Sequence, residues 1–144
     1  IAIWLAKTTP ERNLMPEEPE ELARAVEVAE FVSTNLHPQG FTRLGRTDKF
    51  TPNEADYEAV RARGREIIDT GLAWLNGAIR GNPWVVGKMS FADFSAFYVE
   101  YWAVHRLKLE LGPKCKAHFE RMSTLPSVQR VIAKEGYPSQ ERAV

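Results

Sequence analysis

The sequence contains a single cysteine, Cys115, among 144 residues. One cysteine excludes an internal disulfide and fits a reducing compartment, so we expect a cytoplasmic protein. Nineteen basic and nineteen acidic residues cancel, which leaves no overall charge to attract nucleic acid or an anionic membrane. No stretch approaches the roughly 18 uncharged apolar residues of a membrane span. We therefore expect neither nucleic acid nor a membrane as a partner.

The familiar catalytic motifs are also missing. There is no Cys-x-x-Cys, no His-Glu-x-x-His, no glycine-rich phosphate loop and no Gly-x-Ser-x-Gly. The three histidines, His37, His105 and His118, are far apart in the sequence and lack the spacing of a metal site. We therefore expect no metal, and the sequence offers no catalytic residue of its own.

The first residues look like the end of an element that begins upstream. Ile1 is not an initiating methionine, and residues 1–6 lack the basic flank and cleavage site of a signal peptide. We expect the chain to begin inside a larger protein. The predicted order is a helix tail at 1–7, a proline-containing linker at 8–19, a helical domain at 20–136 and a loose tail at 137–144.

Helical spacing of apolar residues dominates the rest. Leu22, Val26 and Leu36 belong to one amphipathic helix over 20–37, which we expect to break at Pro38-Gln39-Gly40. A loop should then run through Phe41, Phe50 and Pro52. Further helices are predicted from a Thr51 or Asn53 cap to Gly81-Asn82-Pro83, from Phe91 to about Leu109, over 114–123 and over 127–135. No stretch alternates long enough for a strand, so the fold class is all-α with about five helices.

The helix from Phe91 carries a start signal. The Ser90 hydroxyl can accept a hydrogen bond from a first-turn N–H, and Asp93 can reach back to the Ser90 N–H as in a capping box. Only Asp93 and Glu100 are charged before Arg106, so this helix should be central and buried. Ser90 and Asp93 are therefore structural residues.

Three motifs carry a resemblance to a known family. Trp84-Val85-Val86-Gly87 followed by Ser90-Phe91-Ala92-Asp93 resembles the C-terminal helical domain of bacterial glutathione S-transferases, closest to the beta class. Residues 1–6 with Asn13-Leu14-Met15-Pro16 are similar to the end of the family's N-terminal thioredoxin-like domain and its linker. Leu125-Pro126-Ser127-Val128-Gln129-Arg130 resembles its final packed helix.

The resemblance implies a function for a longer protein. It implies conjugation of glutathione, as co-substrate, to a small hydrophobic electrophile in detoxification, with the first two helices forming much of a homodimer contact. It also implies that the catalytic residue belongs to the thioredoxin-like domain, so the 144 residues alone should be inactive. A run of charge at Arg61, Arg63, Arg65 and Glu66 is either a solvated or a subunit-facing surface.

His37 is the candidate for glutathione binding. Its position closing a helix suggests a structural role beside the negative end of the helix dipole. The segment Phe31-Val32-Ser33-Thr34-Asn35-Leu36-His37 resembles the first helix of the beta-class domain, in which a matching histidine faces glutathione. That resemblance implies a donor to glutathione or its sulfur.

Trp102 is a candidate for the hydrophobic substrate site. Its position on so apolar a helix, taken alone, favours a core aromatic. The resemblance implies that it lines the cleft, together with Tyr98 one turn before it and Arg106 one turn after it. Phe41, after His37, is expected to add to the hydrophobic wall.

Two questions stay open in the sequence. Cys115 starts a helix between two lysines, which could lower the pKa of its thiol, although a lone cysteine is more often incidental.

The same fold also serves as a non-catalytic dimerisation or interaction module. Asn35 and Pro38, which stand where an acidic and a basic residue are common in the class, could be signs of that alternative.

Overall fold

A computed structural model describes residues 1–81 and 83–135, so the predicted tail at 137–144 lies outside the described residues. That part of the chain is helical and contains no strand, which confirms the all-α prediction. None of its helices is both long and apolar enough to cross a membrane. The α-helices are α1 (Ala2–Thr8), α2 (Pro19–Glu30), α3 (Thr42–Gly45), α4 (Tyr57–Ala78), α5 (Phe91–His105), α6 (Pro113–Ser123) and α7 (Pro126–Glu135).

The predicted break at Pro38-Gln39-Gly40, with a loop from Phe41, is wrong. Helix α2 continues as a π-helical segment, Phe31–Phe41, which joins α3 without a break. Proline lacks the N–H that an α-helix needs and clashes with the preceding turn. A π-helix is wider, because its hydrogen bonds join residues five positions apart, and it accommodates the Pro38 ring. The Thr42 N–H accordingly donates to the His37 carbonyl, five residues back.

Helix α4 packs closely along this segment. It follows a short 3₁₀ turn, Glu54–Asp56, that the Asn53 side chain caps by accepting from the Ala55 N–H. A Cβ atom on Gly71 would lie 2.6 Å from Leu36 Cδ1, and one on Gly40 would lie 2.8 Å from Ile68 Cγ1. A side chain at either glycine would therefore require Leu36 or Ile68 to move, so the two helices pack closely at these glycines.

Helix α5 begins as predicted and ends earlier than predicted. The Ser90 N–H donates to Asp93 Oδ2 at 2.6 Å and the Ala92 N–H to Ser90 Oγ at 3.3 Å, which completes the capping box. The helix stops at His105 instead of about Leu109, because Lys108 takes a left-handed conformation with φ of 57°. Residues before α6 therefore form a separate connection.

A buried polar network ties α5 to α6. His118 Nδ1 lies 2.7 Å from Glu100 Oε2, and His118 Nε2 lies 3.1 Å from Asp93 Oδ1. All three side chains have no solvent exposure. Asp93 Oδ1 also accepts the Val85 N–H at 2.8 Å. One carboxylate therefore joins the preceding loop, the helix start and the neighbouring helix.

The two carboxylates raise the pKa of His118 to about 9, against the opposing effect of burial. Burial raises the pKa of Glu100, with the nearby His118 opposing it. An imidazolium between two carboxylates is the arrangement that satisfies both ring nitrogens as donors. Sequence reasoning missed this pairing. Asp93 and Glu100, seven residues apart on one face of an apolar helix, were the available signal for a buried basic partner.

We expect the Asp93→Ala substitution to lower the free energy of unfolding by about 3–5 kcal/mol, since it removes one member of a buried ionic network. Urea denaturation followed by circular dichroism measures the change. The exposed Asp69 on α4 gives a matched control, and Asp69→Ala should change the same quantity by less than about 0.5 kcal/mol. Equal effects of the two substitutions would contradict the role of Asp93.

Stability should also fall as the pH rises. The folded pKa of His118, about 9, lies above the unfolded value of 6.5, so its stabilisation is fully present below pH 6.5 and is lost through pH 9. We expect a loss of about 3 kcal/mol in the free energy of unfolding over that range. The raised pKa of Glu100 acts in the same direction.

The control for this pH dependence is the double substitution Glu100→Gln with His118→Gln, which keeps polar side chains but removes both titrating groups. Its free energy of unfolding should vary much less between pH 6.5 and 9. Wild-type stability that is constant or rises over this range would show that His118 is not held as an imidazolium.

Candidate functional site

His37 lies within the π-helical segment and is partly buried. Its predicted position at a helix C-terminus is wrong, because the chain remains helical to Gly45. Its carbonyl is occupied by Thr42, whose hydroxyl donates to it at 3.2 Å. The imidazole is therefore placed by the contacts of its ring and not by the end of a helix dipole.

Three rings meet where the π-helical segment crosses α5. The centroid of the His37 ring lies 5.2 Å from that of Tyr98 and 5.2 Å from that of Trp102. The Tyr98 and Trp102 centroids are 4.8 Å apart. Tyr98 Oη lies 3.3 Å from His37 Nε2, within hydrogen-bond distance. A titratable side chain and a phenol are thus held together against an indole.

Phe41 and Arg106 join the same group through Trp102. The Phe41 ring meets the indole edge-on, with centroids 5.8 Å apart. The Arg106 guanidinium carbon lies 4.0 Å from the indole centroid, a distance at which a cation is attracted to the ring. The five residues singled out in the sequence are therefore brought together around Trp102, and we name them the Trp102 cluster. Their binding roles stay predictions.

Burial lowers the pKa of His37 below its usual 6.5. At neutral pH the imidazole is therefore neutral, with one nitrogen able to donate and the other to accept. Its Nε2 faces the Tyr98 hydroxyl, which can act in either direction. Such a pair can accept a hydrogen bond from a ligand atom, or donate one to it, beside the aromatic rings.

A cavity lies on each side of Trp102. One, of about 250 Å³, runs between α5 and α7 and is walled by Phe94, Tyr98, Val131 and other apolar side chains. The other, of about 350 Å³, lies beside His37 and Phe41, near α3. Small-molecule sites are mostly apolar cavities of this order with few polar groups. The indole is a shared wall of both cavities.

Sequence reasoning missed two residues at the second cavity. Arg46 and Lys49 line it, but they fall in the region for which a loop was predicted. The continued helix carries Arg46 back towards α5, which residue spacing could not indicate once a break at Pro38 was assumed.

Cys115 is a structural residue in this fold. Its side chain is fully buried, and burial, together with the neighbouring Glu100 carboxylate, raises the pKa of its thiol. The prediction that the helix start and the flanking lysines could lower this pKa is wrong, and the incidental alternative fits. Within residues 1–81 and 83–135, no group of three or more His, Cys, Asp or Glu side chains is placed to hold a metal ion.

Part of this chain matches a known protein family. The family model for the glutathione S-transferase C-terminal domain matches residues 58–121, which include α4, α5 and most of α6. A search of curated proteins finds no match.

Solved structures extend the match over nearly the whole chain. A glutathione transferase homologue from Sulfitobacter, with bound glutathione, has a TM-score of 0.80 and 20% identity over 92% of this chain and 64% of its own. BphK, a bacterial glutathione transferase solved as a ternary complex, has a TM-score of 0.75 and 22% identity over 93% of this chain and 64% of its own. The chain therefore has the helical fold that these glutathione transferases show over the matched part of their length.

A third relative adds a different ligand. The glutathione S-transferase from Methylobacterium radiotolerans JCM 2831, in complex with glutathione sulfonate, has a TM-score of 0.65 and 21% identity over 99% of this chain and 66% of its own. The chain thus spans just under two thirds of the length of these solved structures.

Desolvation of His37 by the cluster can be measured directly. We expect a pKa below 6.5 for His37, and we expect Tyr98→Ala to raise it towards 6.5 by admitting water to the ring. Tyr98→Phe keeps the covering ring and should leave the pKa lowered. Chemical-shift titration of the assigned imidazole by NMR checks both, and equal pKa values in the two variants would contradict the role of ring coverage.

Proposed function

We propose that this chain is the helical half of a glutathione S-transferase that conjugates glutathione to electrophiles. The observation that carries the proposal is the convergence of His37, Tyr98 and Trp102 at one point between two cavities. In the conjugation step, the glutathione thiol loses its proton to solvent. Its sulfur then bonds to the electrophilic carbon, and the leaving group departs with the bonding electron pair.

His37 and Tyr98 are proposed to bind glutathione at its sulfur. A thiolate is the nucleophile in this reaction, so donors that stabilise it raise its population at neutral pH. In the contact between the neutral imidazole and the tyrosine hydroxyl, 3.3 Å apart, one of their two protons is used, so the pair offers one such donor. The catalytic residue itself is proposed to lie in a thioredoxin-like domain, so the 144 residues alone should not catalyse the reaction. Closeness to the beta class remains a prediction.

Trp102 and Phe41 are proposed as the wall of the co-substrate site. Their rings meet edge to face, and both rings line the cavity beside His37. An apolar electrophile gains free energy by leaving water for such a surface. The Trp102 cluster thus supplies both a polar position for sulfur and an apolar one for the electrophile.

A homodimer contact is proposed along α4 and the π-helical segment. A groove of about 480 Å³ between them is lined by Asn35, Arg43 and Arg63, and by the tilted ring pair of Phe31 and Trp74, whose centroids are 4.1 Å apart. Mixed aromatic and arginine surfaces are enriched in protein interfaces. The groove lies apart from the Trp102 cluster, so a second copy there would leave the cavities accessible.

A cytoplasmic location and a role in detoxification are proposed from the similarity to glutathione transferases.

The substitution His37→Ala in the full-length protein should weaken glutathione affinity or turnover several-fold, since it removes a donor at the sulfur position. Steady-state kinetics with glutathione and 1-chloro-2,4-dinitrobenzene measures the change. His105→Ala is the matched control, because His105 is also a partly buried imidazole with a pKa lowered by burial but contacts Tyr101 and Phe119. Unchanged kinetics in His37→Ala would overturn the role given to His37.

The interaction-module alternative has its own test. Retention of the full-length protein on immobilised glutathione, with elution by free glutathione, supports the enzyme. Lack of retention, together with lack of conjugation activity, would favour the non-catalytic module. Of the two departures noted in the sequence, Asn35 lines the groove between the π-helical segment and α4 and lies away from the cavity beside His37, so it does not weaken the glutathione proposal.

A further inference from the structure

The cavity beside His37 has a wall of one charge sign. Arg46, Lys49 and Arg106 line it, and among the residues that the structure describes no acidic side chain does. This is notable in a chain whose basic and acidic residues balance at nineteen each. A concave surface lined by charges of one sign concentrates ligands of the opposite sign.

Two of the three cations have no acidic partner within the described residues. Arg46 is held by Asp48, with Nε–Oδ1 and Nη2–Oδ2 distances of 3.2 and 3.1 Å. Lys49 and Arg106 form no ion pair within residues 1–81 and 83–135. These two cations therefore remain available to an anion.

Arg106 is also held in place. Its guanidinium lies over the Trp102 ring, 4.0 Å from the centroid, at the C-terminal end of α5. A planar guanidinium fixed by stacking can bind a carboxylate through two parallel hydrogen bonds. The Trp102 ring and the Arg106 guanidinium therefore lie together in one cavity.

The spacing of three residues along α5 fixes how far apart they lie along the helix axis. Tyr98, Trp102 and Arg106 follow one another at intervals of four residues, about 6 Å of helix each. The sulfur position proposed at His37 and Tyr98 is therefore on one side of the indole, and the guanidinium is on the other. Tyr98 and Arg106 are thus about 12 Å apart along the helix axis, which is longer than an aromatic ring with its acidic substituent and leaves room for the sulfur at one end and for a hydrogen bond to the guanidinium at the other.

We propose that the electrophilic substrate is an aromatic acid, whose ring packs on Trp102 and whose carboxylate binds Arg106 and Lys49. This rests on the proposed function, since it assigns the substrate class of the same site. It differs from a purely apolar substrate by requiring a negative charge about one ring width from the reacting carbon. Glutathione also carries carboxylates, so the test must separate these two sources of the same chemistry.

A matched pair of probes isolates the charge. The acid 4-chloro-3-nitrobenzoate and its methyl ester share the ring, the leaving chloride and the position of attack, and differ in the charge opposite the chlorine. Steady-state kinetics of the full-length protein with glutathione gives KM for each probe and for glutathione. Because the two probes differ in intrinsic reactivity, each variant is compared with the wild type on the same probe.

In Arg106→Gln we expect KM for the acid to rise about tenfold or more, as for a lost charge-assisted hydrogen bond. KM for the ester and for glutathione should rise by a clearly smaller factor, because only the acid loses a charge-assisted hydrogen bond. Arg106→Lys should recover part of the affinity for the acid, since it restores charge without the planar fork. The exposed Arg130 on α7 supplies the control, and Arg130→Gln should leave all three values unchanged.

The other outcomes are distinct. Equal effects of Arg106→Gln on acid and ester would overturn the proposal, as would a rise confined to KM for glutathione, which would assign the cations to the peptide carboxylates. If the wild type turns over neither probe and is not retained on immobilised glutathione, the proposed function fails. If it turns over the ester and not the acid, the function stands and the aromatic-acid proposal is wrong.

Discussion

The Asp93 carboxylate is the contact on which the rest of the structure depends. It accepts the N–H groups of Val85 and Ser90 and faces His118, so it fixes the loop before α5, the first turn of α5 and the adjacent helix α6 together. A buried carboxylate is costly unless its lone pairs are satisfied. The requirement for those partners fixes the position and rotation of α5 and therefore the direction in which Tyr98, Trp102 and Arg106 face.

The candidate site depends on a second constraint, at Pro38. An α-helical break there would have turned the chain away from α5 just after His37. The π-helical turns instead continue the helix and keep Phe41 against Trp102. Widened turns of this kind are frequent at functional sites. The close approach of α4 at Gly71 supports the segment from its other side, so the Trp102 cluster rests on packed helices and not on a mobile loop.

Local signals in the sequence were enough for much of this structure. The capping box could be predicted because its partners are three residues apart, and the face of α5 could be predicted because helical spacing places positions 98, 102 and 106 together. The continuation of the helix through Pro38 could not be predicted, because proline favours a break in an α-helix and no pattern in the sequence indicates a π-helix. The His118–Glu100 pair and the raised pKa of Cys115 depend on how α6 packs on α5, which residue spacing does not encode.

A crystal structure of the full-length protein with S-(4-nitrobenzyl)glutathione is the most direct test of the site. We expect the sulfur to lie within about 4 Å of His37 Nε2 or Tyr98 Oη, with the nitrobenzyl ring packed on the indole of Trp102. A conjugate bound with its sulfur away from both side chains, or with its ring outside the two cavities beside Trp102, would contradict the assignment of the Trp102 cluster as the place where glutathione meets its electrophile.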